Sequence, residues 1–435
     1  MDVIIGPDPV ADTDGLIERA VGWRCGTAVS VDRVPNTPAD PDIAQWSAAY
    51  GPADDRVPAG GAALDDRSAR HAAIGELLER YAAAAQPIPI TDRAAISTDE
   101  RILDHRDFTL HSPEQQQRPD FPHRASYQRA DRSVMHSLLD NESVWVPTNL
   151  LSNDPRLGHL ATSNGLAAGP TTLTALLRGT QELIERDALM ITWLHQVGAR
   201  RVPAPDCVVQ VAEPIGAEVV VFDLTPDFSP HPVVAVAGTA TLSGRPRNGF
   251  GLACRADFEQ AAAKAVLEWA QGVSFAGVNS AADEPQDACV EADQVRDFDQ
   301  HAVFYTRRPD LWQRLPIWSG PIGRPPAPRS PASRSSAPRS SAPRSSAPRS
   351  TAELEDLVRA LAASGVELFY RDLTTPDLAA CGVRAVRVVS PQLVPIHSDH
   401  RWPHLGGSTS DLGRRYPWAV GSAGPYPSQF PHPLG

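Results

Sequence analysis

The sequence has a single lysine, Lys264, and three methionines among its 435 residues. Its five cysteines (Cys25, Cys207, Cys254, Cys289 and Cys381) are scattered and form no Cys-x-x-Cys pair. Neither a zinc site nor a disulfide framework is expected, which suits a reducing cytoplasm. No apolar run is long enough to span a bilayer. The opening MDVIIGPDPVADTD lacks the basic start and sustained apolar stretch of a secretory signal, so the expectation is a cytoplasmic protein with no membrane attachment. A net charge of −12 lacks the basic footprint of a nucleic-acid binder, and no nucleic-acid partner is expected. The phosphate-binding pattern G-x-x-x-x-G-K-[ST] is absent as well.

What is present reads as a globular protein: 42% hydrophobic and 21% charged residues, on a chain long enough for a large core. Residues 1–60 are Pro- and Asp-rich and read as an irregular leading segment. Between Ser68 and Ala84, Ala69, Ala72, Ala73, Leu77 and Tyr81 recur at helical spacing. Residues 91–142 carry no clear pattern. VWVPTNLL, 144–151, reads as a strand, and Gly165, Gly169 and Pro170 form a turn into a long helix, Thr171 to His195, with Pro170 at its first position. AEVVVFDLTPD (217–227) and GVELFYRDLTTPD (365–377) are strands that end alike. Between them lie a strand at 232–240 and a helix at 257–272, and Leu354, Leu357, Val358 and Leu361 mark an amphipathic helix. Alternating strands and helices predict a mixed α/β fold. The repeat PRSPASRSSAPRSSAPRSSAPRST, 327–351, has nothing to bury and predicts a flexible insertion.

One pattern occurs twice. GTQELIERDAL, 179–189, sets Glu182, Glu185 and Arg186 on one helix face, and AIGELLERYAA, 73–83, does the same with Glu76, Glu79 and Arg80. On one helix alone this reads as a solvated face with an ion pair. Two such faces, bracketed by Leu176, Leu177, Leu183 and Ile184, can instead converge on one site. Four carboxylates and two guanidiniums in a cleft repel unless cations and anions fill it. Magnesium takes carboxylate oxygens and travels with phosphates, while arginine grips phosphate with its fork of N–H groups. The glycine turn at 165–169 adds backbone N–H groups and a helix N-terminus. A magnesium–nucleotide site is the sharper reading. The repeated helices and strand ends together point to an internal duplication, although the strand echo by itself is better explained by shared turn chemistry.

TSNGLAAGPTTLTALLRGTQELIERDA (162–188) resembles the signature of the YcaO family. GAALDDRSARHAAIGELLERYAA (61–83) resembles its first nucleotide helix. VELFYRDLTTPDLAACGVRAVRVVSPQLVPIH (366–397) is similar to its closing strand–turn–strand, and FPHPLG (430–435) to its proline-rich end. The resemblance implies a YcaO domain over 61–435, with internally duplicated sheet-and-helix units around an ATP site that has no P-loop. It implies ATP and Mg2+ as cofactors, with Glu76, Glu79, Glu182 and Glu185 on the metal side. Arg80, Gly165, Gly169, Glu182 and Arg186 would lie at the nucleotide, and Pro431, Pro433 and Gly435 at the catalytic end. Where many relatives have Lys, Ser, Asn and Glu, this chain has Ala62, Ala167, Pro170 and Thr174.

Within the family the likeness is to SagD-like cyclodehydratases of thiazole/oxazole-modified peptide and thiopeptide antibiotic biosynthesis. These form azolines from Cys, Ser or Thr of a ribosomal precursor peptide. The implied partners are that peptide, a separate leader-binding protein related to ubiquitin-activating enzymes, a downstream flavin dehydrogenase and a second copy of the chain in a homodimer. A thioamide- or amidine-forming enzyme and a non-catalytic scaffold subunit are the alternatives. For His397, Asp399 and His400 in PIHSDHRWPH a structural role is favoured over a catalytic or metal one.

Overall fold

The computed structural model describes residues 15–22, 26–37, 39–52, 54–152, 162–279, 290–325 and 347–435, with the single positions 156, 158 and 160. The chain runs through β1 (Ser30–Arg33), β2 (Ala44–Tyr50), β3 (Val57–Ala63) and helix α1 (Asp66–Ala85). Next come β4 (Thr91–Asp92), β5 (Asp131–Ser137), β6 (Ser143–Pro147), β7 (Leu166–Gly169) and helix α2 (Thr172–Leu194). It continues with β8 (Arg200–Val202), β9 (Glu218–Asp223), β10 (Val233–Leu242), β11 (Arg245–Cys254) and helices α3 (Phe258–Asn279), α4 (Phe298–Arg307) and α5 (Ala347–Ala363). It closes on β12 (Phe369–Asp372) and β13 (Arg384–Val389), with short helical turns between the main elements.

Three sheets result. β1-β2-β3 form an antiparallel meander. β11-β10-β9-β8 form a second sheet, and β4-β5-β12-β13-β7, with β6 on β5, form the third. The meander corrects the reading of 1–60 as irregular, since residues 30–63 pair in register from Ala44↔Ala63 to Tyr50↔Val57. Its third strand, VPAGGAA, is built from residues of low strand propensity and is held by what packs on it. A Cβ at Gly61 would lie 2.2 Å from the Ala73 amide nitrogen of α1, so glycine is what lets helix and strand meet. The β10–β11 hairpin repeats the device, because a Cβ at Gly251 would lie 2.0 Å from the Ala265 carbonyl oxygen of α3. That hairpin turns through Ser243 and Gly244, both at positive φ (52° and 74°), the geometry of a tight two-residue hairpin. Two units thus share one form, a hairpin with a helix laid across it, β2–β3–α1 and β10–β11–α3; α2, which carries the second copy of the Glu-x-x-Glu-Arg motif, belongs to neither.

Helix α1 starts at Asp65, whose side chain accepts from the Ser68 amide (2.9 Å). Helix α2 starts at Thr171, which accepts from Thr174 N (3.1 Å). Pro170 therefore stands one residue outside the cap rather than at the first helical position, because the threonine hydroxyl satisfies an otherwise orphan N–H. The echoed strand ends reduce to turn chemistry. Asp223 Oδ1 accepts from Thr225 N (3.0 Å) and Asp372 Oδ1 from Thr374 N (2.8 Å), in two different sheets. Of the Ser/Ala/Pro/Arg insertion, residues up to 346 lie outside the described residues. Residues 347–351 open α5, where Pro348 falls in the first turn and is tolerated.

Helix α2 is largely buried. Leu176, Leu177, Leu183, Ile184, Leu189 and Ile191 join a core shared with β10, β11, β13 and α5. On its inner side Asp187, with no exposed surface, meets Arg415 at 2.8 Å and accepts from Val394 N (2.9 Å). This pair ties the segment after β13, which has little regular structure, to the core.

Candidate active site

A cavity of about 1380 Å3 opens between α1, α2 and α3. Its walls also include β3, β7, β11 and the stretch Pro433–Gly435. Both Glu-x-x-Glu-Arg motifs face it: Glu76, Glu79 and Arg80 from α1, Glu182, Glu185 and Arg186 from α2. Gly169 and Pro170 line it, as do Pro433 and Gly435.

Two expected site residues lie outside the cavity wall. Gly165 sits at φ +76°, where a Cβ would come within 2.1 Å of the Val388 carbonyl oxygen. Its own carbonyl accepts from Val388 N (2.7 Å), so it docks the turn onto β13. Pro431 offers its carbonyl to the Tyr305 hydroxyl (2.5 Å), which fixes the tail against α4.

On the α1 wall, Arg80 Nη2 reaches Glu76 Oε1 at 2.6 Å, and Glu76 Oε2 accepts from Gly60 N of β3 (3.3 Å). Glu79 is more enclosed. Burial lifts its pKa well above the usual carboxylate range, and the charges of Glu182 and Glu76 push it further. Glu79 and Glu182 thus line one cavity from different helices.

On the α2 wall, burial raises Glu182 to about 7, with Glu185 and Glu268 adding to the rise and Arg186 and Arg387 opposing it. Its side chain keeps 22% exposure, lines the cavity and lies 3.7 Å from Arg186 Nε. Glu185 is raised to about 6, again chiefly by burial. It accepts from Cys254 N (2.9 Å) at the end of β11 and meets Arg186 Nη1 at 3.1 Å. Burial opposes the charge on Arg186, but Glu185, Glu182, Glu268 and Glu76 outweigh it and raise its pKa.

The third wall is one the motif search missed. Glu268 of α3 lines the cavity, 3.2 Å from Lys264 and accepting weakly from Leu252 N (3.4 Å). The signal was available, since the only lysine stands four residues before a glutamate on an apolar helix. Arg387 was missed as well. It is buried behind the site, where Nη1 donates to the carbonyls of Thr162 (2.7 Å) and Asn164 (2.9 Å) and holds the turn before β7.

Thr174 does not line the cavity. Its hydroxyl lies 2.9 Å from that of Thr171 in the α2 cap. His397, Asp399 and His400 do not line the cavity. His397 is enclosed, Asp399 pairs with Arg401 at 2.6 Å, and His400 hydrogen-bonds the Gln429 carbonyl (3.1 Å).

Among the described residues no three His, Cys, Asp or Glu side chains gather closely enough to cage a metal ion. Magnesium needs no such cage, because it keeps waters and uses one or two carboxylates together with substrate phosphates. Raised pKa values on Glu79, Glu182 and Glu185 mark carboxylates whose charge lacks full compensation from protein groups. A divalent cation bearing phosphates fits that donor set.

The profile of the family described as YcaO cyclodehydratase, ATP- and Mg2+-binding, matches residues 60–394, well over half of the chain. A solved heterocyclase in complex with substrate and cofactor superposes with a TM-score of 0.73 at 18% identity, over 99% of this chain and 59% of that one. YcaO from Methanopyrus kandleri, bound with AMPPCP and Mg2+, superposes with a TM-score of 0.61 at 19% identity, over 92% of this chain and 91% of that one. An uncharacterized protein in the tfuA 3′ region of Rhizobium leguminosarum bv. trifolii is 33% identical over 153 residues. That match takes in 31% of this chain and 36% of the Rhizobium protein. The chain thus spans about a third of that relative and under two thirds of the heterocyclase. No described helix is long and apolar enough to cross a membrane.

Proposed function

The chain belongs to the YcaO family, and from that premise we propose that it is an ATP-dependent cyclodehydratase. Its reaction would form thiazoline or oxazoline rings from Cys, Ser or Thr residues of a ribosomal precursor peptide. The observation that carries this reading is that Glu76, Glu79, Glu182 and Glu185, from two copies of one motif, line a single cavity edged by three arginine-or-lysine-bearing helices.

In this chemistry the substrate's own side chain attacks the preceding amide carbonyl. When bound, Mg–ATP supplies the phosphoryl group that turns the amide oxygen into a leaving group. The protein supplies position and charge rather than a nucleophile. Glu76 and Glu79 on one wall and Glu182 and Glu185 on the other stand on the metal side, and Glu268 joins them. Arg80 and Arg186, each already held by a glutamate, are pre-aimed at phosphate oxygens. Gly169 lets β7 pack closely on the start of α2, where a Cβ would lie 3.0 Å from Ala175 N, and Pro433 and Gly435 line the same cavity, where the peptide would enter. Leader recognition is assigned to a separate ubiquitin-activating-enzyme-like partner, and aromatisation to a downstream flavin dehydrogenase.

The test mixes the protein, its leader-binding partner, a candidate precursor and ATP, and reads peptide mass. Loss of one water per modified residue, abolished by Glu185→Gln, supports the proposal. Modification without water loss would point to thioamide formation. Water loss that appears without this chain and is unaffected by Glu185→Gln would make the chain a scaffold.

A further inference from the structure

Two cations of the cavity wall have no described carboxylate in ion-pair contact. Arg178 lies one turn before Glu182 on α2, and Arg255 follows β11 directly after Cys254, whose N–H holds Glu185. Arg178 spends Nη1 on Gln181 Oε1 (2.9 Å), and Arg255 spends Nη1 on the Cys254 carbonyl (2.6 Å). Each guanidinium has five N–H donors and spends one nitrogen on these contacts, while both side chains line the cavity. Arg178 bonds Gln181, Gln181 Nε2 lies 3.1 Å from His231 Nδ1, and the Cys254 thiol, next to Arg255, lies 4.0 Å from the His231 carbonyl, which brings the two cations into one neighbourhood. Burial and then Arg255 push Arg178 down to about 10. Glu353 attracts Arg178 and Glu185 attracts Arg255, both from beyond ion-pair range. His231, which hydrogen-bonds Gln181, is driven to about 4 by burial and Arg178, so it adds no charge. Like charges left facing one another in a cleft are relieved by an anion that bridges them.

We propose that Arg178 and Arg255 form an oxyanion subsite that takes a carboxylate of the acceptor peptide beside the reacting residue. This rests on the cyclodehydratase reading of the cavity and adds a specificity to it. Arg80, Arg186 and Lys264 are engaged with the acidic cluster that would meet the nucleotide. Arg178 lies one helical turn (about 6 Å) from Glu182 toward the start of α2, and neither Arg178 nor Arg255 makes an ion pair with that cluster among the described residues.

The test uses two short probes, Ac-Gly-Gly-Glu-Gly-Gly-amide and its glutamine counterpart, titrated calorimetrically into the full chain saturated with Mg–AMPPNP. The glutamate peptide should bind about tenfold more tightly. Arg178→Met/Arg255→Met should erase that difference while leaving Mg–AMPPNP affinity within about twofold. Arg178→Lys/Arg255→Lys, which keeps charge but loses the fork, should retain part of it and guards against a folding defect in the first variant. Equal binding of the two probes by wild-type protein overturns the proposal. A tenfold loss of Mg–AMPPNP affinity in either double variant would also overturn it, by assigning the pair to the nucleotide's terminal phosphate. Failure of wild-type protein to bind Mg–AMPPNP at all would instead defeat the nucleotide reading, and the subsite with it.

Discussion

Replacing Glu182 with glutamine distinguishes a ligand-binding carboxylate from a structural ion pair. Burial lifts the Glu182 carboxyl from 4.5 to about 7 in the folded chain. At about 1.4 kcal/mol per pKa unit, ionising it costs the fold about 3 kcal/mol. Arg186, 3.7 Å away, opposes this shift without cancelling it. The folded-state pKa lies above the unfolded one, so the native state holds the proton longer. Stability from this group is therefore full below about pH 4.5, falls as pH rises toward 7, and is level above. Glu182→Gln has no such proton to lose. In thermal melts without nucleotide, the variant should match wild type near about pH 5 and gain on it by up to about 3 kcal/mol by about pH 8. Neutralising Glu182 also eases ionisation of Glu79 and Glu185, which acts in the same direction. The same variant should bind Mg–nucleotide far less tightly. If it instead melts well below wild type at high pH, Glu182 is a stabilising partner of Arg186 and the reasoning fails.

Mg–nucleotide affinity should rise with pH, most steeply between about 6 and 7 as Glu185 and Glu182 lose their protons, and calorimetry across that range reads it. A flat profile would contradict the assignment. Asp187→Ala strands the buried Arg415 guanidinium and should destabilise by about 3–5 kcal/mol, measured by urea titration; a loss under about 1 kcal/mol would show that the tail docks without this pair. Gly251→Ala puts a methyl group against the Ala265 carbonyl and should cost about 1–3 kcal/mol, whereas Gly216→Ala, with open space around it but φ +62°, should cost about 1 kcal/mol.

Much of the site was legible because it repeats within single helices. Glu76, Glu79 and Arg80, like Glu182, Glu185 and Arg186, carry their spacing in the sequence, and helix periodicity placed both sets on one face. Their convergence was an inference from charge, since like-charged faces in an apolar setting need a shared counter-ion. Glu268 was invisible to that logic because α3 does not repeat the motif, and only its spacing from the lone Lys264 marked it. The β1–β3 meander was missed because Pro58, Gly60 and Gly61 argue locally against a strand. Their pairing is fixed by the helix that packs across them. Gly165 and Pro431 were drawn into the site by their place in recognisable segments, yet each is occupied by a long-range backbone contact, to Val388 and to Tyr305. Long-range contacts of that kind also hold the stretch after β13, where Arg415 meets Asp187 and His301 meets His432, and leave no periodic trace.

The central claim is that the two motif-bearing helices form opposite walls of one Mg–nucleotide site. The most direct measurement is calorimetric titration of Mg–AMPPNP into wild type, Glu79→Gln, Glu182→Gln and the double variant. The account requires that each single change weaken binding by at least about tenfold, and that the double change cost less than the sum of the two because they share a ligand. Loss in only one single variant, or additive losses in the double variant, would mean that the walls do not share a ligand.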